Sequence, residues 1–319
     1  DWDREVDYHK PKRKPKAKPT DAEIIQALAD EAVGLEGGFQ ITYTPARYEA
    51  NFLRDSTRAF FDQALITDIL AQVKGGKEAS VYRCTAHAST GKQLLAAKVY
   101  RPRQFRNLRN DKLYREGRDI LKADGRPAKK SDHRLMRALN KKTNFGVQTA
   151  HTSWLMHEFN TLARLYAAGA AVPEPIASSD NAILMAYVGD QNTAAPTLNE
   201  IGLARDEATP LFEKVIHNIL LMLQLGWIHG DLSAYNILYW AGEITLIDFP
   251  QITDSASNPH AHFILERDIT RVCDYFSRQG VPCDPKSITQ QLWQNYNPID
   301  EKARLADWSM AQLQEEEAQ

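Results

Sequence analysis

The chain has 319 residues, a formal net charge of −2, 43% hydrophobic and 25% charged residues. That length can bury a large core and suits two lobes, and the balance is that of an ordinary soluble globular protein, which excludes a fibrous or wholly disordered chain. Three cysteines, Cys84, Cys273 and Cys283, form no CxxC and cannot all pair. With no signal peptide and no apolar run near ~18 residues, they predict a cytoplasmic protein without a membrane span.

In chain order, residues 9–19 are a Lys/Pro run that cannot build a core, so residues 1–20 are expected to be a disordered basic tail. A helical extension follows over 21–65: one helix from Asp21 to Val33 after Thr20, a second over 46–65 with Phe52, Ala59, Phe60 and Leu65 on one side. Strands are predicted at Ile66–Val73, Ala79–Cys84 and Leu94–Tyr100, with turns at Lys74-Gly-Gly-Lys77 and Ser89-Thr-Gly91. Between Lys98 and Lys142 there are sixteen Lys/Arg against five Asp/Glu, so residues 101–150 read as a basic insertion, partly helical. A helix is expected over Thr152–Ala168, a buried strand over Ala182–Val188, and an amphipathic helix from Pro210 to Leu225, stopped by Gly226. Two further helices are expected, one through Leu265, Ile269, Val272, Cys273 and Phe276, one over 284–296. The acidic run Glu315–Glu317 reads as a solvated tail.

The chemistry concentrates after Gly226. In His229-Gly-Asp-Leu-Ser-Ala-Tyr-Asn-Ile-Leu238, Asp231 stands five residues before Asn236, and Asp248 follows twelve after that, ending the strand Ile244–Ile247. This is the spacing of a kinase-type phosphotransfer site: an Asp beside the incoming hydroxyl, then an amide and a carboxylate for Mg²⁺. Hard Mg²⁺ takes oxygen donors, which Asn236 and Asp248 supply. Gly76-Lys77-Glu-Ala-Ser80-Val81 sits where a phosphate-covering loop belongs; Gly76 is a small residue that lets the backbone approach phosphate oxygens, although a plain hairpin turn gives the same pattern. Lys98 is the candidate phosphate lysine, with Ala96 on the same strand face to flank adenine. Glu158, beside Leu155, Phe159 and Leu162 on its helix, faces a burial cost unless paired and is the expected partner of Lys98. Met185, Tyr187 and Val188, ending at Gly189, have the character of an interlobe hinge, with Leu238 and Ile247 as the adenine floor. His229 is expected to orient the loop by hydrogen bonds.

These motifs, together with Ala97-Lys-Val-Tyr-Arg101, Pro173-Glu-Pro-Ile176 and Ile247-Asp-Phe-Pro-Gln251, closely resemble the RIO atypical protein kinases, over about residues 65–295. The resemblance implies an α+β, two-lobed protein-kinase-like fold, with an antiparallel N-lobe sheet plus helix over 66–188 and a reduced, mainly helical C-lobe over 189–319. It implies ATP with Mg²⁺ (or Mn²⁺), a serine protein kinase that autophosphorylates, and catalytic Lys98, Asp231 and Asp248. It also implies the alternative of an ATPase cycle in which Asp248 is transiently phosphorylated, and a tie to small ribosomal subunit maturation for eukaryotic and archaeal members. Residues 20–65 show no winged-helix pattern, and the long basic insertion looks like the bacterial branch. Pro250 after Asp248-Phe249, the roughly dozen residues between Pro250 and the next helix and the lack of Ala-Pro-Glu predict no ordinary activation loop.

Three further expectations concern partners. The basic segment 101–142 and the 9–19 tail are expected to contact an acidic partner such as RNA or a ribosomal particle, or to be a solvated face. Within the segment, Arg101, Arg103, Arg106, Arg109, Lys112 and Arg115 are expected to border the nucleotide entrance. His260 and His262 lack further ligands at metal spacing, so no zinc is expected. A small-molecule kinase ranks third, because only residues 189–209 separate the hinge from the next helix.

Overall fold

A computed structural model describes residues 41–76, 78–101 and 144–296. The 9–19 tail, the helix expected over Asp21–Val33, Lys77, the basic residues 102–143 and the Glu315–Glu317 tail lie outside the described residues.

Helix α1, Arg47–Asp62, precedes β1 (Ile66–Gly75), β2 (Ala79–Ala86) and β3 (Leu94–Tyr100). Helix α2 (Asn144–Ala167) leads to β4 (Pro175–Ser178) and β5 (Ala182–Ala186). The five strands form one antiparallel sheet in the order β1-β2-β3-β5-β4. Strand alternation sorts its two faces. Tyr82, Cys84, Leu95, Ala97, Val99, Ala182 and Leu184 pack with Leu53 and Phe60 of α1. The other face carries Val81, Arg83, Ala96, Lys98, Ile183 and Met185, which the register sets opposite one another.

The buried stripe of α1 is Leu53, Ser56, Thr57 and Phe60, a spacing that hydrophobicity alone misreads because two members are polar. Both are satisfied: Thr57 Oγ1 donates to the Leu53 carbonyl at 2.8 Å, and Ser56 accepts from Ser179 Oγ and Asn181 Nδ2. Of the expected side, Phe60 lies in this stripe, and Phe52 and Leu65 pack against the same core as half-buried neighbours.

Helix α2 begins at Asn144, inside the stretch assigned to the insertion and eight residues before the expected start at Thr152. Strand β4 was not expected; Pro175 is tolerated because β4 is the sheet's edge and needs no donor there. Strand β5 ends two residues short of Val188.

The second core joins α3 (Arg205–Gln224), α4 (Ala261–Arg278) and α5 (Pro285–Asn295) to Tyr100, Leu155, Leu162 and Ile183. Leu211, Val215, Ile219, Met222 and Leu223 line α3; Phe212 packs on Phe276 of α4 with ring centroids 5.2 Å apart. Helix α3 starts five residues before the expected Pro210, which lies inside it. That proline withholds one N–H from the Asp206 carbonyl in an exposed first turn, where water can satisfy it. Gly226, at φ 79°, ends the helix in the left-handed conformation.

Four short strands then bracket the motif segment. Trp227–Ile228 (β6) pairs with Thr253–Asp254 (β9), and Ile237–Trp240 (β7) with Glu243–Leu246 (β8). Ala241 and Gly242, both at positive φ, make the two-residue turn of the inner hairpin. These pairings bring Asn236 beside Ile247, whose N–H donates to the Asn236 carbonyl at 3.0 Å. Among the described residues no helix is long and apolar enough to cross a membrane.

Candidate active site

Lys98 is the centre of the site. Its ammonium donates to Glu158 Oε1 and to Asp248 Oδ1, both at 2.6 Å. It therefore joins β3, α2 and the end of the β7–β8 hairpin, three parts far apart in sequence. Glu158 is 5% exposed, and its second oxygen accepts from Tyr100 Oη at 2.6 Å. Tyr100, which packs edge-on against Trp154, thus fixes the carboxylate that fixes the lysine. Burial alone would lower the Lys98 ammonium, but Asp248 and Glu158 more than reverse this and hold it well above the usual lysine value. Burial would likewise raise the Asp248 carboxyl; the Lys98 charge and hydrogen bond bring it below the ordinary carboxylate value. The Asp248 side chain keeps 43% of its surface exposed, so one oxygen stays available toward the cleft. Its backbone sits at φ 72°, a conformation that Asp and Asn tolerate better than most residues.

The segment from His229 to Asn236 is held from below. His229, 1% exposed, accepts from the Asp231 N–H through Nδ1 at 3.3 Å and faces the Ile247 carbonyl through Nε2 at 3.1 Å. The ring packs at a tilt against Phe249, centroids 4.9 Å apart, and its two nitrogens face the Asp231 N–H and the Ile247 carbonyl. Asn236 Nδ2 donates to the Asp231 carbonyl at 2.8 Å, which leaves its amide oxygen free to face a cation. Asp231 Oδ1 accepts from Arg271 Nη1 at 2.8 Å, both side chains being about two-fifths exposed.

Asp268 was missed by the motif reading. It is 2% exposed on α4 and takes the Gly230 N–H at 2.8 Å and Arg267 Nη2 at 2.9 Å; Arg267 also donates to the Gly230 carbonyl. Burial raises the Asp268 carboxyl despite the opposing charges of His229 and Arg267. The signal was present in the sequence: Asp268 lies three residues after Leu265 and four before Val272, a charge on an apolar helix face. Tyr100 and Arg271 carried no comparable signal, because their partners are distant in sequence.

Gly230 has φ 84°, and a Cβ there would meet the Gln251 carbonyl oxygen at 2.2 Å. Gly230→Ala should therefore lower stability by about 3 kcal/mol or more, read as a fall in Tm. An unchanged Tm would show that the loop can shift without cost.

The remaining candidates divide. Val81, Ala96 and Met185 share the sheet face of Lys98. Leu238 and Ile247 are half-buried at the ends of the inner hairpin. At the hinge, Ala186 N–H is taken by the Glu174 carbonyl and the Val188 carbonyl by Ala195 N–H, which narrows what can face a base to Tyr187 and the Val188 N–H. Gly76 closes a tight turn, its N–H bonded to the Ala79 carbonyl at 2.9 Å, so that amide serves the turn. Ser80 Oγ accepts from Gln72 Nε2 at 3.2 Å on the α1 side of the sheet, so its hydroxyl is engaged away from Lys98. Lys77 and the five expected cations from Arg103 to Arg115 lie outside the described residues; Arg101 is exposed.

Asn236 and Asp248 suit a hard cation completed by phosphate oxygens and water. Among the described residues no group of three His, Cys, Asp or Glu side chains could hold a metal by itself. His262 stacks edge-on against Trp293, in keeping with a packing role.

The linked charges predict a pH dependence. A lowered Asp248 stabilises the fold above the ordinary carboxylate range, and this contribution is lost as pH falls through its depressed native value. A raised Lys98 contributes below the ordinary lysine range and loses that contribution as pH rises through its elevated value. Full pairing thus spans about pH 5 to pH 10. Lys98→Met leaves buried Glu158 with Tyr100 alone and should cost about 3 kcal/mol at neutral pH. Its Tm should also fall less steeply than the unsubstituted chain's between about pH 5 and pH 3. Parallel acid limbs would refute the linkage.

A five-stranded antiparallel lobe, a helical lobe and a Lys–Glu–Asp cluster between them define a two-lobed, kinase-like α+β fold. The family follows from comparison. The model of the RIO domain matches residues 80–288, and the chain belongs to the RIO-domain family. It is 29% identical over 228 residues to the serine/threonine-protein kinase RIO1 of Chaetomium thermophilum, covering 68% of this chain and 41% of that protein. It is 29% identical over 218 residues to the RIO-type serine/threonine-protein kinase Rio1 of Haloferax volcanii, covering 68% of this chain and 66% of that one. To the human serine/threonine-protein kinase RIO1 it is 30% identical over 224 residues, 69% of this chain and 35% of the human protein. The alignments therefore span less than two thirds of these relatives.

Proposed function

We propose that the chain is an ATP- and Mg²⁺-dependent RIO-type kinase that transfers the γ-phosphate to serine hydroxyls, its own included. The observation that carries this reading is Lys98 held at 2.6 Å by both Glu158 and Asp248. A fixed ammonium beside a cation-binding carboxylate is what a transferring phosphoryl group needs, because the step is governed by positioning and charge stabilisation. Asp231 accepts the proton of the attacking hydroxyl, the new O–P bond forms, and ADP leaves. Asn236 and Asp248 would hold the cation, which would supply neutralisation of the phosphate charge. The relatives' names, all serine/threonine kinases, agree with this. Incubation with γ-labelled ATP should place acid-stable phosphoserine on the chain or on a generic acceptor such as casein. ATP hydrolysis without any such label would overturn it.

A second reading is favoured by one feature. Between Asp248 and α4 the only regular structure is the two-residue β9, which offers no platform for a peptide acceptor. On this reading the protein is an ATP-driven conformational switch in which Asp248 is transiently phosphorylated, and the basic residues 101–142 and the 9–19 tail engage RNA or a ribosomal particle. Hydroxylamine-labile label supports it; only stable phosphoserine rejects it. RNA affinity should fall steeply with salt, since released counterions drive such binding, and Ser at Arg101, Arg103, Arg106, Arg109, Lys112 and Arg115 should flatten that slope. Unchanged RNA affinity across the titration would remove the RNA partner.

A further inference from the structure

Arg83 belongs to no motif. Yet the sheet register sets it opposite Ala96, which in turn lies opposite Met185. The next row toward the Gly76 turn is Val81, Lys98 and Ile183. Two residues along a strand advance about 6.6 Å, a spacing of the order that separates the phosphates of a nucleotide from its base. If phosphates sit at Lys98, the nucleoside lies on the Arg83 row, which runs into the hinge.

Three observations set Arg83 apart from an ordinary solvated arginine. It is half-buried, and its Nε is buried with no hydrogen-bond partner. It makes no ion pair among the described residues. Its charge reaches the turn after the hinge: Asp190 is held below the usual carboxylate value by the Asn192 and Thr193 amides and, more weakly, by Arg83. Close by in sequence, Tyr187 Oη is also buried and without a partner. A buried donor without an acceptor is costly, and a guanidinium recovers that cost by donating to an acceptor or stacking on a flat ring.

We propose that Arg83 is a nucleoside-contact residue, closing the outer end of the cleft between β2 and the hinge and binding the base–ribose part of a purine nucleotide. This rests on the nucleotide reading above and adds a contact to it. A contact shared by the substrate and the transition state strengthens binding and leaves saturated turnover alone.

The test is isothermal titration of the full chain with ATP and with ADP, each with Mg²⁺. Arg83→Leu, which keeps an apolar stem, should weaken both nucleotides by the same factor, about tenfold or more. Its Tm should match that of the unsubstituted chain, and Arg83→Lys should restore part of the affinity. Unchanged affinities, or a loss confined to ATP, would overturn the proposal. Should Arg83→Leu fail to fold, phenylglyoxal modification of the unsubstituted chain decides: saturating ADP should slow reaction at Arg83, and an equal rate overturns the proposal. Absence of any ATP or ADP binding by the unsubstituted chain would overturn the functional reading and this contact with it.

Discussion

Asp248→Asn should reduce ATP-dependent phosphoryl turnover by about 10²–10³-fold, as the loss of one preorganised charge-stabilising group typically does. Asn suits the backbone at φ 72° and keeps the side chain's shape, so the loss should come from charge. One carboxylate that would hold the cation disappears, and Lys98 is left with Glu158 alone. The Tm should move by only a few degrees at most, because Asp248 is partly exposed. The measurement is release of labelled phosphate plus incorporated label, compared in the same preparation. Turnover equal to that of the unsubstituted chain would remove Asp248 from the chemistry. The variant also separates the two functional readings. Any hydroxylamine-labile label must vanish with the Asp248 carboxylate, whereas residual phosphoserine at a reduced rate fits direct transfer.

Asp231→Ala should remove transfer by about 10²–10⁴-fold, the usual contribution of a positioned general base. Nucleotide affinity should stay within about twofold, since the Lys98 cluster does not include Asp231. The loop should also keep its shape. What anchors it is the Asp231 carbonyl and N–H, bonded to Asn236 and His229, and the Gly230 bonds to Asp268 and Arg267. None of these uses the deleted carboxylate. Single-turnover labelling and titration with ADP check the two halves separately. Full transfer activity in Asp231→Ala would end its assignment as the base. A parallel collapse of ADP binding would instead mean that Asp231 holds the loop.

The Arg271–Asp231 contact bears on the same step. Arg271 donates to Asp231 Oδ1, one of the two carboxylate oxygens. Both groups are partly solvent-exposed, so water screens the pair and separating it costs little.

The sequence by itself determined the main helices and strands, though not β4, β6 or β9, and the chemistry-bearing pattern. Strand alternation placed Ala96 and Lys98 on one face, and helical spacing located α3, α4 and α5 to within a few residues. Glu158 could be singled out as the partner of Lys98 because a carboxylate beside an apolar stripe has few affordable fates. These features are local: they follow from periodicity, from turn residues, or from one charge in the wrong surroundings. Boundaries failed where local rules mislead, as at Pro210, which lies exposed in the second turn of α3, and at Ser56 and Thr57, polar residues buried with satisfied hydrogen bonds.

Only the tertiary structure decided which charges share a neighbourhood. Asp248 reaches Lys98 across 150 positions and Tyr100 reaches Glu158 across 58; no local periodicity encodes such pairs. It also turned the Ser80 hydroxyl toward Gln72 and the Gly76 N–H into its own turn, and it set Arg83 on the sheet face of Lys98. Strand register is fixed by pairing between segments, and one residue of slip would invert every face. The motif named the chemical groups; cross-strand register and the packing of two cores set their distances.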